Sequence, residues 1–514
     1  MKKLIWVLSL FISTISFAQK GKELTKFSNV ITAEALKAKL SVIASAEMEG
    51  RETASPGQKK AAAFIESEFK RMGLLPGNGT SYQQTYPVYQ DNLTAKAIFV
   101  NGTTFEWDKD FTFSLQGIVS GKWDYTNVVF AGYGIVDDTK GINDYTGLDV
   151  KGKLVVILEG TSAGMPAMGQ GGNRAFNANP ASPMAKMRVA STKGAAGLLV
   201  VSASFPRKTP TETKGNLYLK KNDGPGFLMA NISTNVANAL LAKTGASIAD
   251  LSSMTKGDYN ADVTLVATKK TENLESSNVI AYLPGTDKKE EYLFLTGHYD
   301  HLGKRGDVIW YGADDDGSGT VGVMQMAEAF AAAAKKGKSP RRTIVFMTVS
   351  GEEKGLWGSQ YYSEHPLFPL EKTTADLNTD MIGRVDTERT SADSLNYVYV
   401  IGHDKLSSDL PIINEAANKQ SSNITLDYKY DDPNDKNMIY YRSDHYNFAR
   451  KGVPILFFYD GMLLADYHKP TDTIEKINFE LMRKRTQMVF YTACEIANRD
   501  EMLKRDIPLN MPSR

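Results

Sequence analysis

The chain is 514 residues long, enough for two or three domains with sizeable cores. Its 60 basic and 59 acidic side chains nearly cancel, which removes any electrostatic case for nucleic acid or an anionic membrane as a partner. The composition is that of an ordinary soluble globular protein.

The chain opens MKKLIWVLSLFISTISFAQ, with Lys2 and Lys3, an apolar stretch from Leu4 to Phe17, and small residues at Ser16 and Ala18. This is the layout of a secretory signal, residues 1–18, cleaved after Ala18; the stretch is shorter than the ~20 residues a membrane span needs. The protein is therefore expected to be exported, periplasmic or secreted, with no stable membrane insertion after cleavage. Its single cysteine, Cys494, cannot form an intrachain disulfide and reads as a buried apolar residue of a helix. Cores or metal must then hold the exported chain.

Residues 32–73 carry helical periodicity in two runs. In the second, Ala61, Phe64, Ile65, Phe69 and Met72 form the apolar face and Gly73 ends the helix. From about 113 to 265 the texture changes to short apolar runs such as NVVFAGYGIV, KLVVILEG and GAAGLLVVSA, which predict a β-rich module with one or two helices. The Gly- and Asn-rich stretch from Gly164 to Pro183 reads as a long exposed loop. From 276 onward strands and helices alternate, which predicts an α/β fold: a mostly parallel mixed sheet with helices on both faces. In such sheets ligands bind beyond the carboxyl ends of the strands.

All six histidines lie between His298 and His468, so transition-metal chemistry belongs to this later part. EYLFLTG runs into His298 and Asp300, TIVFMTVSG into Glu352 and Glu353, ADLNT into Asp380, and VPILFFYDG into a loop with Tyr467 and His468. Singly, each is an ordinary strand-end cap or surface residue; jointly, they form a mixed nitrogen and oxygen donor set that suits Zn²⁺, with Co²⁺ or Mn²⁺ as alternatives. Two imidazoles and several carboxylates exceed the needs of one catalytic zinc and favour a two-metal site with a bridging carboxylate. Of two adjacent glutamates, one can ligate while its neighbour serves as general base. His301, His365 and His403 follow no ligand pattern and are expected in surface or local roles; His445 is nearer the chemistry but is not read as a ligand.

The triplet in GADDDGSG, residues 312–319, is harder to place. Asp314, Asp316, Ser318 and Gly319 match the start of a calcium-binding EF-hand loop, but the required glutamate at its end is Gln325, and a helix already occupies the second half.

The segments TGHYDHLG, GADDDGSG, VSGEEKGLWGS, LNTDMIG, RSDHYNFARKGVP and DYHKPTDT, in this order, resemble the co-catalytic dizinc exopeptidases. That family includes bacterial leucyl aminopeptidases, aminopeptidase Y and the glutamate carboxypeptidases. The resemblance implies two zinc ions per chain: His298 and Asp380 on one, Glu353 and His468 on the other, Asp315 bridging, and Glu352 as general base. It further implies that Asp300 orients His298, that Tyr467 and Arg442 contact substrate, and that the Asp315–Asp316 peptide bond is cis. Residues 19–112 and 266–514 would form the catalytic domain, and 113–265 an inserted protease-associated domain. The implied function is an exopeptidase acting on peptides, an aminopeptidase before a carboxypeptidase. A single-zinc glutaminyl cyclase and a transferrin-receptor-like binding protein share the layout, but the filled ligand positions argue against both.

Overall fold

The computed structural model describes residues 23–115, 117–161, 179–221, 226–245, 254–393 and 395–510. The signal segment 1–18 and most of the 164–183 loop lie outside the described residues. The chain forms two compact units, Met1–Pro87 with Glu275–Arg514, and Val88–Leu274.

In the first unit the sheet runs in the order Thr425–Asp427, Tyr397–Ile401, Ile455–Tyr459, Thr373–Thr379, Lys288–His298, Arg342–Val349, then the C-terminal end of Gly257–Leu283. The four central strands are mutually parallel, and Tyr397–Ile401 and Gly257–Leu283 pair antiparallel at either side. Strand side chains alternate between faces, and the sequence uses both. Leu293, Leu295, Ile344, Phe346, Leu456 and Phe458 enter one core, while Phe294, Val345, Met347, Ile455, Phe457 and Tyr459 enter the other. The continuous apolar runs are thus strands covered on both sides, as parallel sheets require.

Helices Ala33–Ile43, Pro56–Met72, Gly317–Lys335 and Phe479–Asn498 contribute to the first core, with Cys494 buried in the last. Gly73 ends Pro56–Met72 with φ +81°. Helix Gly317–Lys335 is buried on nearly every side, so its Ala and Gly content reflects close packing rather than weak helix formation. Gly319 shows how close: a Cβ there would stand 2.0 Å from the carbonyl oxygen of Thr379 and 2.4 Å from Asp316 Oδ1.

The second unit is also built on β-strands. Strands Gly121–Phe130, Leu154–Leu158, Gly197–Val201 and Leu228–Ile232 run parallel, with Phe111–Phe113 and residues 257–267 antiparallel at the two ends. Helices Pro183–Thr192 and Thr234–Leu241 accompany it. This unit is wider than the 113–265 segment read from texture. Both of its boundaries fall inside long strands, Gln83–Val100 and Gly257–Leu283, where no composition change marks them.

Gly319→Ala is expected to lower the stability of the first unit by about 1–3 kcal/mol or more, since the obstacle is backbone and cannot swing aside. Urea unfolding of native and variant chains measures this.

Candidate metal centre

The parallel strands end together, and their last residues or the following turns supply the polar groups. His298 closes Lys288–His298, Asp380 follows Thr373–Thr379, and Glu352 and Glu353 follow Arg342–Val349. His468, with φ +56°, lies on the loop after Ile455–Tyr459. Asp315 enters from the turn before helix Gly317–Lys335, where the Asp315–Asp316 peptide bond is cis.

The five residues expected to hold metal converge around Asp315. His298 Nε2 stands 3.2 Å from Asp315 Oδ1, 3.6 Å from Asp380 Oδ1 and 3.9 Å from Glu352 Oε2. On the other side His468 Nε2 is 3.2 Å from Asp315 Oδ2 and 3.0 Å from Glu353 Oε2. One carboxylate therefore faces two separate nitrogen and oxygen sets, one with each oxygen. Glu352 and Glu353, adjacent in sequence, point to opposite sets.

The flanking aspartates face the backbone. Asp316 accepts from the main-chain nitrogens of His298 (3.0 Å), Gly319 (2.8 Å) and Met381 (3.0 Å), so it caps the helix and ties two strand ends to it. Asp314 accepts from Gly383 N at 2.8 Å and from the Ser318 hydroxyl at 3.0 Å. Ser318 lies inside the helix, and Asp316 is the cap. Asp472, which the sequence did not single out, accepts from the main-chain nitrogens of both Asp314 and Asp315 at 3.1 Å.

Asp300 touches its neighbours differently from the expectation. The His298 Nδ1 contact is with the Asp300 carbonyl at 3.1 Å, while the carboxylate is 3.7 Å away. That carboxylate accepts instead from the Thr53 hydroxyl (2.6 Å) and from Glu352 N (3.2 Å), so it positions the glutamate turn. Arg442 Nη2 donates to the Tyr467 hydroxyl at 2.9 Å, and the Tyr467 ring stacks on His468 at 3.8 Å between centroids.

His301 overturns the expectation of a surface or merely local role. It is fully buried, and its Nδ1 lies 2.8 Å from Glu353 Oε1 and 3.8 Å from Asp315 Oδ2. The reason is the path of the chain after His298: His301 N donates to Arg51 O, and the turn curls back over the site instead of leaving it. Of the remaining histidines, His365 is exposed against Tyr361, and His403 pairs with Asp431 and stacks on Tyr428. His445 hydrogen-bonds Tyr440 O through Nε2, and burial pushes it down to about 3, a neutral core imidazole.

The charges are mutually dependent. Burial works against a charged His298, but Asp380, Glu352, Asp300 and Asp315 together hold it well above the ordinary imidazole range. Burial likewise opposes His468, which Asp315 and Glu353 raise to about 10. Asp315 would be raised by burial, yet the surrounding imidazoles hold it well below the carboxylate range. Glu352 is pushed well above that range by burial, against the pull of His298 and with the help of Glu353 and Asp380. Among the described residues, His298 Nε2, Asp315 Oδ2 and Glu353 Oε1 are buried with no hydrogen-bond partner, although buried polar atoms are ordinarily satisfied. Atoms of this kind, converging with carboxylate and imidazole chemistry, fit divalent metal.

Beside them lies a small cleft, about 30 Å³, where Glu352, Asp380, Arg442 and Tyr467 meet an apolar wall of Met381, Ile439, Phe457 and Leu463. A larger cavity of about 630 Å³ in the second unit is lined by Lys214, Lys220 and Lys269 and contains no histidine or cysteine. Its acid, Asp91, is already engaged by Lys269, Thr271 and Tyr218.

An α/β sheet thus delivers imidazoles and carboxylates from successive strand ends into one cluster, the arrangement of a candidate metal centre. Residues 278–493 match the model of peptidase family M28. A probable zinc metalloprotease of Leptosphaeria maculans is 34% identical over 122 residues, 23% of this chain and 27% of the relative. A probable leucine aminopeptidase of Trichophyton verrucosum is 28% identical over 225 residues, 43% of this chain and 57% of the relative. The chain thus spans between about a quarter and somewhat over half of the length of these curated relatives. Among solved structures, an aminopeptidase from Aneurinibacillus sp. strain AM-1 superposes with a TM-score of 0.54 at 18% identity, covering 96% of this chain and 98% of its own. BSAP, a zinc aminopeptidase from Bacillus subtilis, gives 0.51 at 19% identity, covering 94% and 99%. These two share the fold over nearly the whole chain.

Asp316→Ala leaves three buried main-chain donors without their acceptor, each costing about 1–3 kcal/mol. The variant is expected to lose on the order of 3 kcal/mol or more in a denaturant melt of metal-free protein.

Proposed function

We propose that the protein is an exported, zinc-dependent exopeptidase, an aminopeptidase that hydrolyses the N-terminal peptide bond of its substrate. The observation that carries this is the two-sided Asp315 carboxylate, with His298 at 3.2 Å from one oxygen and His468 at 3.2 Å from the other. His298 and Asp380 would hold one zinc ion, Glu353 and His468 a second, and Asp315 both. When bound, the metal pair supplies Lewis acidity toward a water molecule and a scissile carbonyl.

The chain's own groups supply the rest. Glu352 takes the proton of the attacking water and passes it to the leaving amine, a role suited to a carboxyl that burial holds well above its ordinary range. Its main-chain nitrogen is held by Asp300, which keeps the side chain at the edge of the His298 set. A substrate α-ammonium finds Glu352 and Asp380 on the cleft wall, and the apolar residues beside them favour an apolar first side chain. Tyr467, with Arg442 donating to its hydroxyl, is placed to hydrogen-bond the carbonyl oxygen as charge develops on it. Residues 113–265, within the Val88–Leu274 unit, would on the resemblance of their sequence be the protease-associated domain.

Arg442 favours a second reading: a guanidinium in the same cleft could bind a terminal carboxylate, making the enzyme a carboxypeptidase. Peptides blocked at the amino or the carboxyl end separate the two. The aminopeptidase should cleave carboxyl-blocked substrates and leave amino-blocked ones intact; the reverse pattern establishes the carboxypeptidase. Zinc analysis should return about two ions per chain, as the two-metal centre requires. A single ion would indicate a cyclase-like site, and none a binding protein. Export is checked by terminal sequencing of mature protein, expected to begin at Gln19.

Glu352→Gln should lower turnover on the order of 10²–10⁴-fold while zinc content stays at the native value. Retention of near-native turnover would remove Glu352 from the proton transfer. Chelation should abolish activity and added zinc restore it.

A further inference from the structure

His301 is the least satisfied imidazole of the centre. Its side chain is fully buried, and neither ring nitrogen has a hydrogen-bond partner. A buried polar ring left in that state loses the bonds it makes in water, a loss that folded proteins rarely leave uncompensated. The ring is also fixed in place. Its main-chain nitrogen donates to Arg51 O at 3.2 Å, and a Cβ on Gly312 would stand 2.5 Å from His301 Cγ, so only glycine leaves the ring its room.

Nδ1 approaches Glu353 Oε1 to 2.8 Å, yet the pair is not aligned as an N–H···O hydrogen bond, and both atoms remain without a hydrogen-bond partner. Asp315 Oδ2, 3.8 Å away, is likewise unpartnered. Donor atoms roughly 2.0–2.1 Å from a tetrahedral zinc ion stand roughly 3.3 Å from one another. The distances on this side bracket that value: 2.8 and 3.8 Å from His301, and 3.0 and 3.2 Å from His468, to Glu353 and Asp315 respectively.

We propose that His301 is an additional nitrogen donor at the Glu353 and His468 position, which then has two imidazoles and two carboxylates. This rests on the two-metal reading above and goes beyond it by making the positions unequal. The other position has one imidazole, His298, with Asp380 and the shared Asp315. Imidazole nitrogen favours zinc over harder ions such as manganese. The His301 side therefore fills first and is the more selective for zinc.

Zinc-edge X-ray absorption on the fully loaded native chain decides the ligation without any variant. Three imidazoles over two zinc ions support the proposal, and two imidazoles overturn it. Titration of metal-free protein with zinc against a chromophoric chelator should show two successive affinities in the native chain. His301→Asn and His301→Ala should weaken one site about 10–100-fold, leave the other unchanged, and alter the visible spectrum of the cobalt-loaded protein. Variants that fold by circular dichroism and bind both ions as tightly as the native chain would show that His301 only fills space. Failure of the native chain to bind two ions would overturn the two-metal reading itself, and this inference with it.

Discussion

A single carboxylate that faces away from the proposed metal positions organises the centre. Asp316 gathers main-chain N–H groups from the end of the His298 strand, from the first turn of the central helix and from the residue after Asp380. These are charge-assisted bonds in a buried place, where they are strongest. They set the spacing between two donors that the sequence separates by about eighty residues. Asp472 repeats the device on the other side, holding the nitrogens of Asp314 and Asp315. The three consecutive aspartates therefore do not compete: the middle one turns outward to the imidazoles, and its neighbours turn inward to the backbone.

That division explains how so much negative charge is accommodated. The buried carboxylates hold His298 and His468 above the ordinary imidazole range, and the imidazoles in turn hold Asp315 below the carboxylate range. Divalent ions held at the proposed positions would neutralise the same carboxylates and displace protons from the imidazoles, which would link metal uptake to proton release. The supports of the centre are hydrogen bonds to backbone, and the proposed ligands stand at the ends of strands covered by two cores.

Much of this was legible. Apolar runs ending in His298, Glu352 and Glu353, and Asp380 mark strands buried on both faces, and the chemistry of their ends is local to each run. His301 was not legible, because its direction is set by Arg51, some 250 residues earlier in the chain, which no periodicity connects to it. Its spacing, three residues after His298 in HYDH, was the available signal. Asp472 was missed for a similar reason, since a carboxylate that serves backbone nitrogens looks in sequence like any loop acid. The boundaries of the two compact units lie within continuous strands, where the sequence carries no mark of them.

Arg51 also bears on how the chain is partitioned. Fully buried, and with burial lowering it only to about 10, its guanidinium remains charged and donates to the carbonyls of Ile43, Tyr299, Tyr311 and Gly312. Thr53, two residues on, fixes the Asp300 carboxylate that holds the Glu352 turn. Both lie far outside the 278–493 segment that carries every proposed ligand. The recognisable core is thus not a self-sufficient fragment: the stretch leading to the first long helices is a keystone, and trimming the gene to the family-matched segment would remove the mortar behind its own centre.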